Sequence, residues 1–440
     1  MHALGLAWGI PFAGLLLTIA LAPLAAPRLW HDHYGKIATA WGLSFVVADA
    51  LRQGAAGTGR EILATALHEY LPFVLLLGAL FAIAGGLRIK GTPRGTPAVN
   101  VALLAFGTLI ASVIGTTGAS MVLIRPLIRA NRHRAKAAHV FVFFILLVAN
   151  VGGGLSPLGD PPLFLGYLLG VPFFWPLIHL GAPVLVLAAI LLVLFYALDM
   201  LMHRRNESPS SPLQEIEKLG LDGKLNLVLL AGVVAVVVLR AAWHPAAGID
   251  LFGVGWNPSD IVADAALLIL GTLSLAFTPA TVRRANEFSW GPMIEVAILF
   301  AAIFVTLIPV MAMIGAGPDG AAAPLIARLF LGGAPNDLVF YWATGGLSAF
   351  LDNAPTYVVF FGFAGDDPAL LTGGLARTLM AISAGAVFFG GMSYIGNAPN
   401  FMVKAIVESH GIKMPSFFGY VGWAALCLLP WLFVVGWLFF

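Results

Sequence analysis

Gly153-Gly154-Leu155-Ser156-Pro157-Leu158-Gly159-Asp160-Pro161-Pro162-Leu163-Phe164 is matched later in the chain by Gly390-Gly391-Met392-Ser393-Tyr394-Ile395-Gly396-Asn397-Ala398-Pro399-Asn400-Phe401. Six of the twelve positions are identical without a gap, Asp160 stands opposite Asn397, and both copies interrupt apolar stretches. Glycine, proline and a carboxylate or amide do not belong in a plain lipid-facing helix. The freed backbone groups and the charge would each cost several kcal/mol in hydrocarbon. A matched pair of broken helices is therefore the signature of a binding site inside a membrane.

Composition agrees. Of 440 residues, 60% are hydrophobic and 10% charged, with a mean hydropathy of +0.94. Apolar runs of roughly 20 residues recur, as a polytopic membrane protein requires. The net charge of +2 is spread through short loops, which argues against an acidic partner or nucleic acid. Cys427 is the sole cysteine, so disulfides and cysteine metal clusters are excluded. No Lys or Arg precedes the first apolar run, which reads as a membrane span and not as a signal peptide.

Ten crossings are expected near 4–26, 37–52, 68–88, 138–170, 180–202, 224–242, 260–279, 292–314, 374–409 and 416–439. Two further runs, 97–129 and 336–364, carry polar tips at 115–120 and 351–356 and read as re-entrant hairpins. With both as hairpins, the loops at 27–36, 88–97, 129–137, 203–224, 280–291 and 404–413, together with Arg125, place 18 of the 23 Lys and Arg on one face. The positive-inside rule makes that face cytoplasmic and both termini external. The fold class that follows is an all-α polytopic membrane protein with two discontinuous helices, 138–170 and 374–409. Each half holds five crossings and one hairpin. An odd number of crossings inverts the second unit, so residues 1–205 and 224–440 form an inverted-topology repeat joined by a cytoplasmic linker, 206–223. Two landmarks fit the repeat. Glu69 and Glu295 open the spans before the two hairpins, and Thr117-Gly118-Ala119 aligns with Asp352-Asn353-Ala354, 43 residues before Asp160 and 45 before Asn397 respectively.

Each repeat then offers a site built from its own tip and break: Thr117, Gly118, Ser120, Ser156, Gly159 and Asp160 in the first, and Asp352, Asn353, Thr356, Ser393, Asn397 and Asn400 in the second. One carboxylate, neutral oxygens and unwound carbonyls suit a small hard cation such as sodium at Asp160 and at Asp352. A carboxylate at mid-membrane costs about 2.5 to 3.5 kcal/mol on insertion scales. Out of water it favours a proton, and a bound cation competes with that proton, which is the minimal chemistry of cation/proton exchange. Capping of the adjacent half-helix is the structural alternative, worth about 0.5 to 2 kcal/mol. Glu69, Glu295 and Arg125 are secondary proton or charge candidates, and Asp49 and Asp264 weaker ones. No His-Glu-x-x-His or similar metal-ligand spacing occurs, and no enzyme or cofactor is expected. Leu158-Gly159-Asp160 lacks the partner acid motif an intramembrane aspartyl protease needs.

At these residues the chain resembles the ion transporter superfamily, which includes NhaD-type sodium/proton antiporters, arsenite permeases, citrate carriers and divalent-anion/sodium symporters. Phe350-Leu351-Asp352-Asn353-Ala354-Pro355 is similar to the Leu-Asp-Asn hairpin tip of the antiporter and arsenite branches, and Pro157-Leu158-Gly159-Asp160-Pro161-Pro162 to their Pro-Ile-Gly-Asp break. The resemblance implies an elevator-like or rocking carrier of the bacterial inner membrane, often a homodimer, with cation sites at tips and breaks. Thr117-Gly118 stands where the antiporter pattern has Asp-Asn, so the first site lacks one carboxylate. The symporters' Ser-Asn-Thr tips are absent. A sodium (or lithium)/proton antiporter is the expectation, with cation-coupled transport of a citrate-like carboxylate or an oxyanion such as arsenite as the alternative.

Overall fold

A computed structural model describes residues 4–91, 94–134, 136–205, 220–243, 245, 248–317 and 320–440. In chain order the helices are α1 (Ile10–Ala25), α2 (Pro27–Gln53), α3 (Ala55–Thr65), α4 (Leu71–Gly85), α5 (Pro97–Ile114), α6 (Thr116–Asn131), α7 (Ala138–Leu147), α8 (Pro161–Leu168), α9 (Trp175–Arg205), α10 (Leu225–Ala242), α11 (Pro258–Phe277), α12 (Ala280–Ala285) and α13 (Gly291–Gly315). They continue as α14 (Ala323–Ile326), α15 (Asp337–Ser348), α16 (Asn353–Phe363), α17 (Pro368–Thr372), α18 (Ala376–Phe389), α19 (Ala398–Ser409), α20 (Phe417–Cys427) and α21 (Leu429–Phe439). Three short antiparallel strand pairs close connections: β1 (Arg88–Lys90) with β2 (Gly220–Asp222), β3 (Ile249–Leu251) with β4 (Val254–Trp256), and β5 (Phe330–Leu331) with β6 (Ala334–Pro335).

Among the described residues, eight helical segments are long and apolar enough to cross a membrane, and α20 with α21, meeting at a 43° bend, make a ninth. The expected ten crossings differ in three places. The run at 37–52 lies inside α2, which carries Arg28, Asp32, Lys36, Asp49 and Arg52 and is too polar to count. The run at 374–409 is divided between α18 and α19, while α5, the first arm of a hairpin, is long enough to be counted. The last span bends because Pro430, in the first turn of α21, has no N–H to continue the ladder of α20. Of the expected linker, 206–219 lies outside the described residues. Its far end is strand β2, fixed to β1 by pairing and by the Lys90 Nζ–Asp222 Oδ1 ion pair of 2.6 Å.

The basic loops meet at one end of the molecule. Arg129 donates to the carbonyls of Ile89 and Gly91, Asn226 to that of Gly86, Asn286 to those of Gly85 and Leu87, and His410 lies by Glu287. The opposite end joins His68 to Gly255 and Gly170 to Pro368. Helices α1, α2 and α13 pack together, as do α4, α10 and α11; α6 and α16 touch this frame through α4 and α13.

The long polar-tipped runs fold back on themselves. Gly95 N donates to Ala130 O and Asn100 bonds Asn131, so α5 and α6 leave and return at the basic end. Only Gly115 separates them, at φ +79°, ψ 152°, a region essentially reserved for glycine. In the second run, Phe340 of α15 meets Phe360 of α16 edge-on, 6.3 Å between centroids. Asp352 starts α16 by accepting from Ala354 N at 3.0 Å.

The repeated twelve-residue motif folds the same way twice, and its identical residues are the ones that permit it. A Cβ on Gly159 would sit 2.2 Å from Gly153 O, and one on Gly396 2.7 Å from Gly390 O. Ser156 and Ser393 each accept from the amide two residues on, at 3.1 and 3.2 Å. Each also donates across to its hairpin, Ser156 to Ser112 O and Ser393 to Ala349 O. Glycine supplies room for backbone on backbone, and serine locks the turn.

Gly159→Ala is accordingly expected to lower the thermal unfolding temperature of the detergent-solubilised protein by several degrees. Gly181→Ala, in α9 with open space around the new methyl, should leave it unchanged or raise it slightly. A fluorescence melt of both variants checks this.

Candidate functional site

Four helices begin where the two motifs and two tips converge: α6 at Thr116, α8 behind Asp160, α16 behind Asp352 and α19 behind Asn397. Their N-terminal dipole ends and N–H groups face the centre. Helices α6 and α19 run from there toward the basic end, and α8 and α16 toward the other.

Asp160 is the hub. It is 1% exposed, and three neutral side chains donate to it: Thr116 Oγ1 to Oδ1 at 3.3 Å, Asn397 Nδ2 to Oδ1 at 2.9 Å and Asn353 Nδ2 to Oδ2 at 2.7 Å. Two of those donors come from the second half of the chain. The expected pair of separate sites, each made from its own tip and break, is thus replaced by one cluster in which both tips and both breaks meet. The reason is geometric. Each tip does pack on its own break, as Thr116 N to Gly159 O at 2.8 Å shows, but the two breaks also lie against each other. Asn150 Nδ2 donates to Asn400 Oδ1 at 2.8 Å, and Asn397 Nδ2 to Ala149 O at 3.2 Å.

The other candidates divide clearly. Asp352 caps α16 and adds a like charge near Asp160. Asn353 leaves its Oδ1 buried with no partner among the described residues, as does the Ser120 hydroxyl. Ser156 and Ser393 are committed to backbone carbonyls, Asn400 to Gly390 O and Ser393 O, and Thr356 to Asp352 O. These four hold the turns. Gly118 packs on the Ala84 side chain.

Thr117 is not at the hub; Thr116 is. Aligning the first residues of α6 and α16 pairs Gly115-Thr116 with Asp352-Asn353, two positions from the expected register. Asp160 and Asn397 then lie 45 residues beyond Gly115 and Asp352 respectively. The equal spacing was a signal available in the sequence. Asn150 and Ser112 had none: Asn150 precedes the repeated motif, and Ser112, whose hydroxyl donates to Gly152 O at 2.5 Å, sits inside an apolar helix.

Glu69 does not open a span. It lies in a π-helical turn, 66–70, within a continuous helical segment from Ala55 to Gly85, and Asp366 is its charged neighbour. Glu295 lies in the second turn of α13, near Trp30 and His31. Asp49 is satisfied by Arg52, Gln53 and Thr58, a structural role. Asp264 is buried, neither oxygen hydrogen-bonded among the described residues, 3.9 Å from Arg240. Arg125 lies well down α6, away from the tip. One buried ionic network went unnoticed in the sequence: Asp199 accepts from Arg134, from His139 at 2.8 Å and from Asn100 at 2.9 Å, clamping α9 to the first hairpin. Among the described residues no group of three or more His, Cys, Asp and Glu could hold a metal ion.

The CitMHS_2 family model, described as "putative citrate transport", matches residues 1–440. The chain belongs to this family. That makes it a multi-pass secondary transporter, in keeping with the ion transporter superfamily to which citrate carriers belong. No curated protein matches it.

Because Thr116 and not Thr117 donates to Asp160, Thr116→Val should weaken the apparent affinity for the transported ion or solute by about ten-fold or more, since a hydrogen bond to a charged group contributes about 1.5 to 3 kcal/mol. Thr117→Val should change it by less than a factor of about two. Concentration dependence of transport in proteoliposomes reads both.

Proposed function

We propose that the protein exchanges sodium or lithium for protons at Asp160 and Asp352 by alternating access. The observation that carries this reading is Asp160 itself, 1% exposed with only neutral side-chain donors, beside the orphan oxygen of Asn353. Three neutral hydrogen bonds do not offset the removal of a full charge from water. The carboxyl group therefore holds either a proton or a cation, and Asn353 Oδ1, Thr116 Oγ1 and the unwound carbonyls of the breaks are hard oxygens within reach of that cation. Asp352 is the second acid. Its like charge means that two ionised carboxylates together require a cation, while loss of the cation favours reprotonation of one of them.

The halves 1–205 and 224–440 act as an inverted repeat, with tips 115–120 and 351–356 as re-entrant hairpins around a midplane site. The end where the basic loops meet faces the cytoplasm of a bacterial inner membrane, and both termini lie outside. The working unit is a homodimer in the bilayer.

Coupled transport of a citrate-like carboxylate is the second reading. Its support is the family description and the four helix N-termini at the centre, which favour an anion.

A pH-sensitive dye in proteoliposomes with an inside-acid gradient separates the two. Sodium or lithium should dissipate the gradient, and Asp160→Asn and Asp352→Asn should each abolish the response while the protein remains folded. Silence toward every cation, with labelled citrate entering under a sodium or proton gradient, would replace antiport with symport. Full activity in Asp352→Asn would remove that residue from the mechanism.

A further inference from the structure

At the basic end, one loop is fixed to the frame and reaches across to both half-helices that lead from the site. Asn286 Nδ2 donates to Gly85 O at 2.9 Å and Leu87 O at 2.7 Å, anchoring the loop to the end of α4. Arg283 adds bonds to Ala82 O and Ser274 O and lies 4.9 Å over the Phe288 ring. Next to Asn286, Glu287 adopts φ +47°, a left-handed conformation that a non-glycine residue keeps only where its surroundings enforce it.

The carboxylate so presented reaches two helices that lead from the site. Oε2 accepts from Arg125 Nη2 of α6 at 3.1 Å, and Oε1 lies 3.6 Å from His410 Nε2 at the end of α19. Arg125 is buried, its side chain 8% exposed, and its Nε and Nη1 have no partner among the described residues, so Glu287 is the acid that holds it. Beside this contact lies a small apolar cluster detached from the main core: Phe81, Met121 and Met293, with Phe288 and Met402 packed on it. Its members come from α4, α6, α13, α19 and the Glu287 loop. Methionines repack easily, which suits a seal that must form and part.

We propose that Glu287 is a latch. It clamps the basic-end segments of α6 and α19, whose N-termini build the Asp160 cluster, and together with the Phe81–Met121–Met293 plug it closes the route from that cluster to the basic face. Opening to that face breaks the Arg125–Glu287 pair. The inference rests on the carrier reading for its purpose but not on the cargo, and accessibility is measured with no ion gradient, so it stands or fails apart from the transport assay.

The test uses the full chain in a Cys427→Ser background with Met121→Cys, labelled by a membrane-impermeant maleimide applied from the basic-loop face. Adding Glu287→Gln should raise the labelling rate at least five-fold, with the melting temperature retained. The exchanged pair Arg125→Glu with Glu287→Arg should return the rate toward its starting value. An unchanged rate in Glu287→Gln, no restoration by the exchange, or an equal rise when label is applied from the opposite face would overturn the latch.

Discussion

A carboxylate buried in a membrane protein can be held only by groups that reach it, and Asp160 is reached from both halves of the chain. Thr116 comes from the first hairpin, Asn353 from the second and Asn397 from the second break. Remove that convergence and the rest loses its reason. The glycines at 153, 159, 390 and 396 bring backbone against backbone so that the breaks can meet, and Gly115 turns the first hairpin where a side chain would be strained. Ser156 and Ser393 fasten each break to its own hairpin, and Asn150 with Asn400 fastens the breaks to each other. The polar atoms at the centre fall into those bonded to backbone, as in Ser156, Ser393, Asn400 and Asp352, and those bonded to side chains, as in Asp160. Asn353 Oδ1 is buried with no partner among the described residues.

Much of this was legible because the physics is local. A Gly-Gly-x-Ser-x-x-Gly run inside an apolar stretch breaks a helix wherever it occurs, so both breaks and the hub acid could be read from single residues. The distribution of Lys and Arg was equally informative, and the loops it groups are those that meet at one end. What escaped was the relation between the halves. Nothing in the spacing of Asp160 and Asn397 says that they touch, because the contact depends on how two hairpins pack side by side. The register at the first tip was misread for a related reason: Thr117 matches Asp352 by residue polarity, whereas the helix start that places Thr116 follows from Gly115, a backbone property.

Other misreadings concern context. Glu69 sits where the apolar pattern begins, yet the helix begins earlier, since Ala55 to Thr65 is helical without being strongly apolar. Asp199 lies near the end of an apolar helix and looks unremarkable until Arg134 and His139 arrive from another segment. Arg125 looked like a mark of the basic side, and its partner, Glu287, lies on a turn whose left-handed backbone no sequence rule anticipates.

The sharing of one acid between two halves has a consequence for what either half could do alone. The first half supplies the acid and one of its three donors, Thr116, and the second supplies the other two, Asn353 and Asn397, so neither builds the cluster without the other. The pair works as one donor and one acceptor: Asn397 Nδ2 meets Asp160 Oδ1 where two carboxylates would repel. The two motifs, identical at six of twelve positions, differ in charge only at this pair. Substitutions at positions 116, 160, 353 and 397 therefore act non-additively, as members of one hydrogen-bond network do.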